Sequence, residues 1–392
     1  MLRSPEVLAA LADAALPRLL PRSVAALPTR VTDKFQQALI EGADGAAWTV
    51  RLSRSPAAGA AAEQADAFAR LLAKRVPFAV PIAEGRMTLA DRNLVTVQPR
   101  LPGDPMVWRG LTAGSAEATG VGRALAALHD VDPRLADEVG APSYDADGYR
   151  SRRLAVLDRA AGTGLVPAAL LARWERALEE VSLWRFPTCV THGPLEGHDV
   201  FWNGHVSAIS SWENASVSDP ADDFAALWVL AAPEAFDTVL ETYSAARSEA
   251  PDKHLERRIR LSAELQRITV LLDAVTADDE DLIDRRTAAL RRLGEQTVDD
   301  ESLMPAAPRV RVSAAQPSDA DEPIDDAEDD TTDTDDDAGA TDEVRDHEFD
   351  EDEIDDEFDG ADDAEDDADD EYDLDADDTI ELKIDRPDRR DQ

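Results

Sequence analysis

Thr191-His192-Gly193-Pro194-Leu195-Glu196-Gly197-His198-Asp199-Val200-Phe201-Trp202 is the most informative stretch of this 392-residue chain. Two further segments belong with it: Ile209-Ser210-Ser211-Trp212-Glu213, and Ser218-Asp219-Pro220-Ala221-Asp222-Asp223-Phe224-Ala225. Short β-type runs (189–190, 199–202 and 206–209) give way to a helix opened by Asp219-Pro220, where an aspartate before a helix-opening proline acts as a cap. Around this interlude the apolar spacing is helical: residues 115–129, 149–160 and 167–183 before it, 221–246 and 252–293 after it. A mainly helical unit with a small hairpin set into it is expected, and such hairpins often hold polar residues at a cleft.

Upstream the period changes. Residues 24–27, 35–40 and 48–52 read as strands, with a Gly42-Ala43-Asp44-Gly45 turn between the second and third. The alanine-rich segment 56–75 places Phe68, Leu71 and Leu72 on one helix face, and strand character returns at 78–81 and 94–97. This reads as a small α+β lobe ending near Leu101, where Leu101-Pro102-Gly103-Asp104-Pro105 punctuates the chain. Residues 7–15 read as an amphipathic helix, too short to span a bilayer; a signal cleaved at Ala12-Asp13-Ala14 is the minor alternative.

Charge separates the rest. Of 84 acidic and 40 basic residues, 41 acids and 7 bases fall in 301–392, so the tail carries about −34 and the body about −10. A segment of Asp, Glu, Ala, Thr and Gly buries too little apolar surface to offset its chain entropy, so 299–392 is expected to be disordered. The expected organisation is a β-rich N-terminal lobe over 1–101, a helical lobe over 102–298 and an acidic tail over 299–392. The single cysteine, Cys189, excludes a disulfide framework and fits a reducing compartment; a soluble cytoplasmic protein with no membrane association is expected. The negative balance argues against nucleic acid as a direct ligand.

The loop, the Ser211-Trp212 pair and the Asp219-Pro220-Ala221 segment together resemble the aminoglycoside and macrolide phosphotransferase family, which has a protein-kinase-like fold. That family's catalytic loop is His-Gly-Asp-Leu-x-x-x-(Asn or His), its metal strand ends in Asp-Trp, and Gly-Asp-Pro-Ala-x-Asp-Leu-Ala opens the next helix. Upstream, Trp48-Thr49-Val50-Arg51-Leu52 is similar to the nucleotide-lysine strand, residues 76–81 to the segment after the first helix, and Leu125-Ala126-Ala127-Leu128-His129 to the helix before the loop. The resemblance spans roughly residues 5–295 and implies an α+β, two-lobed fold with ATP and magnesium in the cleft.

In that family an Asp accepts the proton of the attacking hydroxyl, while an Asn or His and a second Asp hold magnesium against the phosphates. Aligned without gaps, those three positions are Pro194, Asp199 and Ser211. Proline has no acid–base group, and a serine hydroxyl is a poor substitute for a metal-binding carboxylate. Asp199 remains a candidate magnesium ligand. Glu196 is the one nearby carboxylate that a displaced-base mechanism would use, against a solvated loop acid. His192 reads as a loop-holding residue; His198 and His205 read as loop histidines. On the nucleotide side, Arg51 stands at the lysine position, with Glu63 or Asp66 as its candidate partners and residues 98–101, bounded by Gln98 and Leu101, as the hinge. No Gly-x-Gly-x-x-Gly cradle precedes Arg51.

Three readings follow. The first is a phosphotransferase-fold protein that has lost catalysis, binds ATP and magnesium weakly or not at all, and works as a binding or scaffold module for a nucleotide or small molecule. The second is an active ATP-dependent phosphotransferase on a small hydroxylated molecule, using Glu196 and Asp199 in altered roles. The third is a nucleic-acid mimic. The tail has a candidate role in the first and third: Phe349, Ile354 and Phe358 lie in an acidic field, and Thr379-Ile380-Glu381-Leu382-Lys383-Ile384 alternates like a strand, features suited to a basic protein partner. A solubilising tail without a partner is the bland alternative.

Overall fold

The computed structural model describes residues 2–29, 33–305 and 379–381. The N-terminal lobe is an antiparallel sheet of β1 (Ser23–Ala26), β2 (Phe35–Glu41), β3 (Ala47–Ser53), β4 (Gly85–Thr88) and β5 (Leu94–Pro99), in the order β1-β2-β3-β5-β4. Strand alternation gives each face its job. Ala38 and Ile40 of β2, Trp48, Val50 and Leu52 of β3, and Val95 and Val97 of β5 meet Leu8 and Ala12 of α1 (Pro5–Ala15) in one core. The opposite face carries Arg51, Thr96 and Gln98, and with α2 (Pro56–Leu72) these residues line one cavity. Ser55 caps α2 by accepting from Ala58 N–H at 3.1 Å, and Pro56 supplies a first-turn residue that needs no donor.

Residues 78–81, expected as a strand, form none. Pro77 and Pro81 remove donors, and the segment keeps a single parallel bridge, in which Ala79 N–H donates to Ser207 and Ile209 N–H donates back to Ala79. This bridge ties the lobe junction to the hairpin below. Phe68 and Leu72 of α2 enter the same core as Phe78 and Trp212, so the helix is part of both lobes.

The second lobe contains α3 (Ala116–His129), α4 (Leu135–Val139), α5 (Ala146–Gly162), α6 (Ala168–Glu179), α7 (Ala221–Leu230), α8 (Pro233–Ala246), α9 (Leu255–Ala277) and α10 (Glu280–Gln296). Two segments expected as single helices are divided. Residues 221–246 break before Pro233, which starts α8, and 252–293 break at Asp278, in a left-handed conformation, followed by Asp279 as the cap of α10. Residues 167–183 end as α6 at Glu179 and continue as a 3₁₀ turn, Val181–Trp184.

Set into these helices are two small sheets. β6 (Asp104–Pro105), β8 (Val200–Trp202) and β9 (Val206–Ile209) form one, and β7 (Cys189–Thr191) with β10 (Ser216–Ser218) the other. Buried Arg258 of α9 donates to Asp219 ahead of α7 and to Asp252, both at 2.8 Å, fixing the helices behind the loop. Packing runs past the compositional break at residue 299: Leu303 is buried beside Trp174, and Asp300 pairs with Arg173 at 2.9 Å. The expected disorder of the acidic tail, and Phe349, Ile354 and Phe358, lie outside the described residues. One piece does not: β11 (Thr379–Glu381) pairs antiparallel with β1 at the sheet's edge. Among the described residues no helix is long and apolar enough to cross a membrane.

Candidate active site

The loop after β7 hangs on one buried carboxylate. Asp223, in the first turn of α7, accepts from Gly193 N–H at 2.8 Å on one oxygen and from His192 N–H at 3.0 Å on the other, which also meets His129 Nε2 at 3.0 Å. His129 Nδ1 in turn lies 2.9 Å from the Tyr243 hydroxyl. Sequence reasoning placed no role on Asp223, His129 or Tyr243; the signal was present in the third aspartate of the Asp219–Phe224 segment and in the histidine ending α3. Gly193 has φ +95°, and a β-carbon there would lie 2.9 Å from Asn214, so the loop needs glycine at this point.

His192 is buried. Its Nε2–H donates to the Ser210 carbonyl at 2.6 Å, and its ring stands edge-on to Trp212 with centroids 4.9 Å apart. The side chain therefore locks the loop to the 209–212 turn. Pro194, at the general-base position, is exposed at the loop surface. Glu196 closes a capping box around the 3₁₀ turn Gly197–Asp199: its carboxylate takes the Asp199 N–H, and its own N–H donates to Asp199 Oδ2 at 3.1 Å. His198 and His205 are both exposed.

Asp199 is buried, and its other oxygen is 3.4 Å from the Ser210 hydroxyl. Ser211 follows with φ 63° and ψ 47°, a left-handed conformation that short polar residues such as Asp and Asn tolerate best. The backbone at 211 is thus shaped as for an aspartate while the side chain is a neutral hydroxyl. Among the described residues no group of three or more His, Cys, Asp or Glu side chains is placed to hold a metal ion. One carboxylate already occupied by local donors, beside a serine, does not fit a magnesium bound to a triphosphate.

Arg51 points into the cleft from β3, but its partner comes from the other lobe. Nη1 donates to Glu213 Oε1 at 2.6 Å, and the guanidinium lies 4.2 Å from the centre of the Phe35 ring. Neither Glu63 nor Asp66 makes this pair. Glu63 is exposed, and Asp66 is taken by Arg86 at 2.6 Å, Arg70 at 2.9 Å and the Ala83 N–H at 2.7 Å. Burial pushes the Glu213 carboxyl up, yet the Arg51 charge and hydrogen bond outweigh it and hold the group below its ordinary value. Arg51, Asp66, Thr96, Gln98, Trp212 and Glu213 surround a cavity of about 20 Å³, room for roughly one water. Gln98 is buried on its wall, and Leu101, three residues on, is half-buried.

The model of the phosphotransferase enzyme family matches residues 34–261, more than half of the chain, including the loop, the Arg51 strand and α7. The chain belongs to this family. Its structure is similar to that of the macrolide 2'-phosphotransferase MphH from Brachybacterium faecium, at 25% identity and a TM-score of 0.61, over 72% of this chain and 97% of that one. A type I macrolide 2'-phosphotransferase is matched at 25% identity and a TM-score of 0.61, over 74% and 98% of the two chains. The GDP and kanamycin complex of APH(2")-IIia shares the fold at 16% identity and a TM-score of 0.63, over 74% and 98%. Comparison with curated protein sequences finds no match. The fold is therefore the two-lobed, protein-kinase-like one.

Proposed function

We propose that this phosphotransferase-family protein has lost phosphate transfer and works as a binding or scaffold module, with its acidic tail as an arm for a basic protein surface. The observation that carries this reading is the pair Pro194 and Ser211, standing where the family has its proton acceptor and its metal carboxylate, beside a loop still anchored by Asp223. A positioned base contributes about 10²- to 10⁴-fold to rate, and metal stabilisation of the phosphates several kcal/mol more. The cleft has not rebuilt either function nearby: Glu196 is spent on capping its own turn, and Arg51 on Glu213. Whatever enters the cleft meets Gln98, Thr96 and an Arg51 stacked on Phe35.

The test is phosphate transfer from magnesium-ATP to a macrolide and to an aminoglycoside, by the full chain and by the double variant Pro194→Asp with Ser211→Asp. The wild type is expected to show none. The double variant should fold, because position 194 is exposed and 211 already has an aspartate-compatible backbone. Turnover by the wild type at the ~1–100 per second usual for kinases refutes the proposal.

A further inference from the structure

The outer edge of β1 is an exposed liability in a sheet of this kind. Edge strands present unpaired N–H and C=O groups, and natural proteins blunt them with proline, charge or a covering segment. β1 reads Ser-Val-Ala-Ala, with no proline and no charge. In this structure the cover is the chain's own tail: Thr379, Ile380 and Glu381 pair with Ala25, Val24 and Ser23. The segment that does this was singled out in the sequence for its alternation, continuing through Leu382, Lys383 and Ile384. Exposed Arg22 immediately precedes Ser23, the register partner of Glu381.

Backbone direction shows which group is at stake. Leu27 N–H donates to the Gln37 carbonyl, one step beyond the Ala26–Ala38 pair. Amides alternate along a strand, so Leu27, Ala25 and Ser23 face β2, and Val24 faces the outer edge, where Ile380 is its register partner. We infer that the outer edge of β1 is a strand-docking site, filled in cis by residues 379–381 of the same chain and open to a competing extended segment of alternating sequence. Main-chain bonds supply the attachment in such strand addition and the alternating residues its selectivity. A partner that takes this edge would release the far end of the acidic tail.

The experiment is hydrogen exchange at the Val24 amide in the full chain and in Ile380→Pro, which removes the donor facing β1. Val24 should exchange at least tenfold faster in the variant, with the central-sheet amides of Val50 and Val97 unchanged as the control for folding. A synthetic peptide of residues 375–386, added to the variant at roughly the millimolar concentration that tethering supplies, should restore the protection. Three results overturn the inference: equal Val24 exchange in both chains, no restoration by the peptide, or wild-type protection that rises with protein concentration, which would assign the edge to a second copy.

Discussion

Replacing Glu213 with Gln tests the ion pair that now occupies the cleft. The substitution keeps the shape and one acceptor but removes the charge opposite Arg51. Arg51 and Glu213 side chains are 11% and 8% exposed, so the guanidinium left behind has little water to turn to. Removing one partner of a buried pair costs about 3–5 kcal/mol; the amide oxygen that remains and the undisturbed Phe35 stack place this variant near the low end, about 3 kcal/mol. That is roughly two orders of magnitude in the unfolding equilibrium. Urea unfolding followed by tryptophan fluorescence reads it, since Trp212 is the neighbouring residue and is buried. The pH dependence supplies a second check. The Glu213 carboxyl is held below its ordinary 4.5 in the fold. Its contribution is therefore fully present above 4.5 and is lost as pH falls through the lower, folded value. The gap between wild type and Glu213→Gln should be wide at pH 7 and close in strong acid. A gap under about 0.5 kcal/mol at pH 7, the scale of an exposed pair, or one indifferent to pH, refutes the buried-pair account.

Asp223→Asn leaves one oxygen to serve three donors in a fully buried site, and should cost about 3 kcal/mol; urea unfolding indistinguishable from wild type would show that the loop does not depend on this carboxylate. Calorimetry with ATP should give weak binding that magnesium changes by less than tenfold, because Asp199 is the one carboxylate left at the family's two metal positions. A larger gain, about 1.4 kcal/mol or more, would reveal a metal site. Arg51→Ala should weaken whatever binding is measured.

Much of this was legible in the sequence because it was local. The Ser55-Pro56 cap, the alternation of β2 and β3 and the spacing of Val121, Leu125 and Leu128 in α3 each announce their element within a few residues. Pro194 and Asp199 lie on the segment between β7 and β8 and Ser211 on the turn after β9, as the short β-type runs around them in the sequence suggest. What escaped was long-range or context-dependent. Arg51 finds its acid 162 positions away rather than on the adjacent α2, and no periodicity reports that. Asp66, one of the two candidates on α2, is held by Arg86 and Arg70 instead. Residues 78–81 carry strand composition, yet flanking prolines leave them a single bridge. β4 and β10, four and three residues long, are too short to show a period.

The way Asp223 carries the loop has a consequence for how such a sequence drifts. Its bonds go to the main chain of His192 and Gly193 and to His129, and none goes to residue 194. The architecture of the loop and the identity of its catalytic position are therefore independent variables. A lineage can exchange the proton acceptor for proline with little penalty in foldedness, so selection for a stable body leaves the chemistry unguarded. The same independence runs backwards: an acid placed at 194 disturbs none of the contacts through which Asp223 holds the loop, so chemistry at that position can be varied while the scaffold stays fixed.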